Sequence, residues 1–137
     1  MLYNLSNWNK LTEDQRNYVC YHQKLTQPFI EKHWNDLTEE QRNSACTNQK
    51  LTQAFITKHW KKLINLQRDY VCCSQKLTQA FVSKHWKKLT EHQRDLIYEY
   101  QKLTPSFMEQ LMSGNIPKRV FIPTKTMRYI DMDFEEF

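Results

Sequence analysis

Glycine is almost missing from this sequence: Gly114 is the only one in 137 residues. Hairpins and tight turns draw on glycine for positive φ, so a β-rich fold fits poorly and helices are expected. The same scarcity argues against a glycine-rich phosphate-binding loop. No apolar run approaches the ~20 residues of a membrane-spanning helix. The opening residues Met1-Leu2-Tyr3-Asn4-Leu5 show neither the basic nor the apolar region of a secretory leader. The four cysteines, Cys20, Cys46, Cys72 and Cys73, are therefore expected as reduced thiols in a cytoplasmic setting.

What is present suggests a thin, ordered, basic protein. Hydrophobic residues make up 39%, low for a thick core, while 13% aromatics argue against disorder because rings supply much buried area. The length suits one domain. A net charge of +5 points toward anionic partners.

Tryptophan reveals the organisation. Trp8, Trp34, Trp60 and Trp86 are the only four, each 26 residues after the last. Phe29, Phe55, Phe81 and Phe107 keep the same period, as do the pairs Gln15-Arg16, Gln41-Arg42, Gln67-Arg68 and Gln93-Arg94. Gln23-Lys24-Leu25 recurs at Gln49, Gln75 and Gln101. A fixed period of this size marks a stacked repeat array. Leu-Thr recurs about every 13 residues, and threonine before a periodic segment signals a helix N-cap. Thr12 with Gln15, Thr38 with Gln41 and Thr90 with Gln93 have the spacing of capping boxes.

Two short helices per repeat follow. Helix A, as in Thr52 to Trp60, sets Phe55 and Ile56 against His59 and Trp60 at i, i+4, an apolar stripe. Helix B, as in Thr12 to Gln23, has Gln15, Arg16, Val19 and Cys20 at the same four positions and is the more polar partner. Helices this short need neighbours. The expected fold is all-α: a small α-solenoid of 26-residue helix-turn-helix repeats over 1–112, beginning with a half repeat at 1–10. A short irregular or β-like cap and an acidic tail are expected over 113–137. In one copy Ile64 replaces the cap threonine, and Asn65 is expected to cap one position later.

The stretch Leu96-Ile97-Tyr98-Glu99-Tyr100-Gln101-Lys102-Leu103-Thr104-Pro105-Ser106-Phe107-Met108 resembles short tandem repeats of the form Ile-Ser-x-Tyr-Gln-x-Leu-Ser-x-x-Phe-Ile. These occur in proteins of large DNA viruses and bacteriophages, mostly without an assigned activity. The resemblance covers roughly residues 8–112, with Cys20, Cys46 and Cys72 standing where serine is usual. It implies a viral or phage origin and a protein that engages a host target.

Recurrence argues against a metal site or an active site. His33, His59 and His85 repeat, as do Cys20, Cys46 and Cys72. Equivalent positions in stacked helices lie on the order of 10 Å apart, whereas zinc ligands must sit about 2.0–2.3 Å from one ion. An enzyme needs one converging constellation, not a ladder. No metal, no cofactor and no catalytic residue are expected. The Gln-Arg ladder reads either as a structural device that satisfies backbone carbonyls or as a row of guanidinium groups facing a partner.

Charge is unevenly spread. Residues 50–88 hold nine basic residues and one acid, Asp69. The nine, Lys50, Lys58, Lys61, Lys62, Arg68, Lys76, Lys84, Lys87 and Lys88, are the candidate binding residues. Lysines at the carboxyl ends of A helices also complement the helix dipole. That alone does not explain why Asn35-Asp36 fills the same place in the first copy. The expected function is a non-catalytic interaction protein whose basic centre binds and inhibits an acidic host protein or ribonucleoprotein such as a nuclease complex. The alternative is direct binding of RNA or single strands, with Tyr18, Tyr21 and Tyr70 as stacking candidates. Self-association through exposed ends of the array ranks third.

Overall fold

A computed structural model of the chain describes residues 2–114, and among them the fold is all-α, with eight α-helices, short 3₁₀ turns and no strand. Of the C-terminal cap and acidic tail expected over 113–137, residues 115–137 lie outside the described residues. The B helices are α1 (Glu13–His22), α3 (Glu39–Asn48), α5 (Asn65–Ser74) and α7 (Glu91–Tyr100). The A helices are α2 (Gln27–His33), α4 (Gln53–His59), α6 (Gln79–His85) and α8 (Pro105–Met112).

Threonine starts these helices as the spacing predicts. Thr12, Thr38 and Thr90 each close a full capping box with the glutamine three residues on. Thr26, Thr52, Thr78 and Thr104 accept from the amides of Phe29, Phe55, Phe81 and Phe107 at the starts of the A helices. Pro105 sits first in α8, where a missing N–H costs nothing. The expectation for α5 is corrected: Ile64 itself is the N-cap and Asn65 is the first helical residue. Gln67 Oε1 still accepts the Ile64 amide at 3.2 Å, but a hydrocarbon side chain cannot return the bond. That half box holds the register without asparagine. The leading half repeat is a 3₁₀ segment, Leu5–Lys10, capped by Asn4.

Many helices end on a glycine at positive φ. Here that device is used once, at Gly114 (φ 81) after α8. The A helices end differently: tryptophan opens a 3₁₀ turn at Trp34–Asp36, Trp60–Lys62 and Trp86–Lys88. Leu37, Leu63 and Leu89 donate back to the tryptophan carbonyls at 3.1–3.2 Å. These leucines and all four tryptophans are buried. Tightening the last turn needs no left-handed residue, which reconciles eight helices with one glycine.

The chain divides into two compact units, Met1–Lys76 and Leu77–Phe137. In the first, α1 stacks on α3 and α3 on α5. Phe29 meets Trp8 edge-on at 5.2 Å, and Phe55 meets Trp34 at 5.0 Å. His59 lies against Phe55 of its own helix at 4.3 Å and Trp34 of the preceding layer at 5.6 Å. Cys20, Cys46, Val19 and Val71 fill the space between B helices with no exposed surface.

In the second unit Phe81, Val82, Trp86, Leu89, Ile97, Phe107, Met108 and Leu111 form the core. His85 packs on Phe81 at 4.3 Å, repeating the arrangement of the first unit.

Candidate interaction surface

The recurrent polar residues are consumed inside the array. Each arginine of the Gln-Arg pairs turns back on the tryptophan eight residues before it. Arg16 Nε donates to the Trp8 carbonyl at 3.1 Å, Arg42 Nε to Trp34 at 3.0 Å, Arg68 Nε to Trp60 at 3.1 Å, and Arg94 Nε to Trp86 at 2.9 Å. Every guanidinium also lies over the same indole, 4.8–5.4 Å from its centroid. Of the two readings of the ladder, the carbonyl-satisfying one matches this geometry. Arg68, one of the nine candidate binding residues, is half-buried and held in that clamp.

The glutamines that end the B helices do comparable work between layers. Gln49 Oε1 accepts the Leu25 amide at 2.8 Å, while its Nε2 donates to the carbonyls of Cys20 and Gln23 at 2.9 and 2.8 Å. Gln75 repeats all three bonds on Leu51, Cys46 and Gln49. Sequence reading noted this recurrence without assigning it a role. The signal is a carboxamide two residues before each recurrent leucine, since only a group that both donates and accepts can join two connectors.

What remains for a partner is lysine. Lys58 lies in the last turn of α4, with Lys61 and Lys62 in the 3₁₀ turn after it. Lys84, Lys87 and Lys88 form the equivalent set at the end of α6 in the second unit. All six are exposed. Lys50 and Lys76 are exposed too, but they lie in connectors that lead into A helices. An A helix with its 3₁₀ turn spans roughly 15 Å, so Lys50 and Lys76 sit along the opposite edge from Lys61 and Lys62. The nine residues therefore resolve into terminal-turn triplets, a separate connector row and one internal clamp.

Within the first triplet Lys58 is partly committed. Its ammonium pairs with Glu31 of the preceding layer at 2.6 Å, and His59 Nε2 approaches the same carboxylate oxygen at 3.3 Å. The Lys58 hydrogen bond, with His59 behind it, holds the Glu31 carboxyl below its usual range. The pair is exposed at 67% and 38% and adds little stability. Glu31 was absent from the sequence expectations because residues 27 positions apart carry no local pairing signal. Lys61 and Lys62 make no ion pair among the described residues.

The recurrent cysteines Cys20, Cys46 and Cys72 and the recurrent histidines His33, His59 and His85 are packing groups in this geometry. Burial raises the Cys20 thiol to about 11 and those of Cys46 and Cys72 to about 12, which suppresses the nucleophilic thiolate. Burial beside Phe29 and Trp8, with nearby Lys32, lowers the His33 pKa. The tyrosines named for stacking do not share one element: Tyr18 and Tyr21 flank His22 on α1, and Tyr70 is half-buried on α5.

No helix among the described residues is long and apolar enough to cross a membrane. No protein-family model matches the chain, and no curated protein or solved structure matches it. The resemblance to viral and phage tandem repeats rests on residue pattern alone.

Proposed function

We propose that this chain is a non-catalytic helical-repeat module, an α-solenoid of viral or phage origin, that binds an acidic host protein or ribonucleoprotein through the lysines of its terminal-turn triplets. One comparison carries the reading. The turn Trp60–Lys62 and the turn Trp34–Asp36 have the same backbone, with tryptophan at φ −53 and ψ −44 in one and φ −52 and ψ −45 in the other. The next leucine has φ −77 in one and φ −76 in the other. Asn35-Asp36 makes this turn as well as Lys61-Lys62 does, so folding does not require the lysines. Their charge is left over for a partner, and exposed ammoniums with no ion pair among the described residues suit carboxylates or phosphates. Binding of this kind in the host cytoplasm would let the protein occlude, and so inhibit, a nuclease complex or similar target.

An acidic protein surface is favoured over nucleic acid because the four tryptophans are buried and, among the described residues, the exposed rings of Tyr18, Tyr21, Tyr98 and Tyr100 belong to B helices and not to the terminal turns. The deciding experiment measures binding of the wild type and of the variant with Lys58, Lys61, Lys62, Lys84, Lys87 and Lys88 all changed to alanine. The probes are RNA and DNA of about 20–30 nucleotides at low and physiological salt, and an acidic protein in parallel. Salt-sensitive capture of the acidic protein alone, lost in the variant, supports the proposal. Steeply salt-dependent RNA binding that vanishes with the lysines replaces it with the nucleic-acid reading. Binding that ignores the six substitutions overturns both.

A further inference from the structure

The third B helix begins unlike the others. In α1, α3 and α7 the cap threonine is followed by acids: Glu13 and Asp14, Glu39 and Glu40, and Glu91. The first turn of α5 has none, and Ile64, Asn65 and Leu66 stand in that place. Ile64 is 42% exposed and Leu66 43%. Leu2 aside, they are the only exposed leucine or isoleucine side chains among the described residues. Lys61 and Lys62 come just before them, exposed and with no ion pair among the described residues. Even fully extended, the chain from Lys61 to Leu66 spans at most roughly 18 Å, so two ammoniums and two aliphatic side chains share one short edge of the first unit.

Folding asks for neither aliphatic residue. At the place of Ile64 the other B helices carry Thr12, Thr38 and Thr90, whose hydroxyls accept an amide that isoleucine leaves without that bond. At the place of Leu66 they carry Asp14, Glu40 and His92. The apolar character continues along the helix, because Leu66, Tyr70 and Cys73 at i, i+4 and i+7 lie on one face. Tyr70 and Cys73 are half-buried. The same three positions of α3 are Glu40, Ser44 and Thr47, a polar face on the same backbone.

We propose that Ile64 and Leu66 are an apolar anchor point beside Lys61 and Lys62, and that they take a partner segment carrying carboxylates next to a large apolar side chain. This rests on the function proposed above and narrows its partner from an acidic surface to an acidic-apolar segment. The ammoniums pair with the carboxylates, and the apolar side chain of the partner covers Ile64 and Leu66 toward Tyr70. Charge guides the encounter and apolar burial holds the complex. The acids that would repel such a segment at the start of α3 are absent here. A second copy suits the edge poorly, because a two-fold contact would set Lys61 and Lys62 against their own equivalents. A lipid surface suits it poorly as well. Interfacial helices sink an apolar face about 5–10 Å into the bilayer, whereas Ile64 and Leu66 are more than half covered by their own fold.

The test measures binding of two labelled peptides to the full chain by fluorescence anisotropy. One alternates glutamate with leucine, and the other has serine for leucine at equal length and charge. The leucine peptide should bind about tenfold or more tightly than the serine peptide. Ile64→Thr with Leu66→Gln should bring the leucine peptide down to the level of the serine peptide, without changing the net charge. Circular dichroism checks that this variant is folded, and Ile64→Thr supplies the missing cap hydroxyl. Lys61→Ala with Lys62→Ala should weaken both peptides. Equal affinity for the two peptides, or a leucine preference that survives in the Ile64/Leu66 variant, overturns the anchor and leaves the lysine reading standing. A leucine preference that vanishes in that variant but ignores the lysine substitutions keeps the anchor and overturns the lysine reading. No binding of either peptide overturns both. Two parallel measurements address the other occupants. Binding to phosphatidylserine vesicles that is lost in the Ile64/Leu66 variant, with no preference between the peptides, replaces the segment with a lipid surface. Concentration-dependent sedimentation that is lost in the same variant, again with no peptide preference, replaces it with a second copy.

Discussion

Gln49 holds the Leu25 amide across 24 residues of sequence with a 2.8 Å hydrogen bond. Two carbonyls at the end of α1, those of Cys20 and Gln23, depend on the same side chain. One buried carboxamide therefore supplies what a glycine cap would supply elsewhere, and it does so from the next layer. Gln49→Ala leaves three backbone groups unsatisfied in a buried setting. The expected loss is about 3 kcal/mol, since each abandoned buried group costs roughly 1–3 kcal/mol and some rewetting is possible. Gln23→Ala, which gives up only the two bonds to the terminal Tyr3, should cost well under half as much. Urea denaturation of the two variants measures the difference.

Arg42 closes the end of α2 in an analogous way. The Trp34 carbonyl accepts from Leu37 N–H at 3.2 Å and from Arg42 Nε at 3.0 Å, while the guanidinium covers the indole. A lysine has no planar group that can stack on the ring and direct an N–H at the carbonyl together. Arg42→Lys is expected to lose about 1–2 kcal/mol, from one charged hydrogen bond and part of the ring contact. If thermal unfolding shows Arg42→Lys equal to the wild type, the clamp contributes nothing.

Much of this could be read from the residues, for reasons of range. Caps act over three residues, so threonine and glutamine spacing located the helix starts, including all three complete capping boxes. The apolar stripe acts over four, so the burial of Phe55, Ile56 and Trp60 was legible as well. The all-α fold followed from these short-range signals and the lack of glycine. Interlayer bonds are another matter. Gln49 reaches Cys20 over 29 residues and Lys58 reaches Glu31 over 27. Periodicity shows that such positions matter but not what they touch. For the same reason Arg68 appeared beside the lysines as a binding candidate, although its nitrogens are directed at Trp60.

Ile64 is a natural defect in the capping series. The Gln67 half of the box is formed, and the backbone at Ile64 (φ −78, ψ 164) matches that of the threonine caps, as at Thr38 (φ −73, ψ 168). Ile64 is 42% exposed, so its replacement sacrifices little packing. Ile64→Thr should therefore complete the box without rearrangement and stabilise the protein by about 1 kcal/mol. A rise of several degrees in Tm is the expected reading, and no change would mean that the Gln67 bond already suffices.

The buried thiols impose a pH dependence with a definite sign. Cys46 and Cys72 are pushed up to about 12 and Cys20 to about 11 by burial, whereas in the unfolded chain each ionises near the ordinary thiol value of about 8.5. Between those limits the folded state keeps protons that the unfolded state has released. Stability is then fully present below about pH 8.5 and falls as pH rises toward 11–12. Cys20→Ala, Cys46→Ala and Cys72→Ala combined should flatten that alkaline slope, at the cost of some packing. The same burial predicts thiol order: at pH 8 under native conditions the half-exposed Cys73 should react with a maleimide well before the other three. Labelling that proceeds equally at all four cysteines in the folded protein would mean that the B helices separate on the timescale of the reaction, and that the layers are not tightly packed.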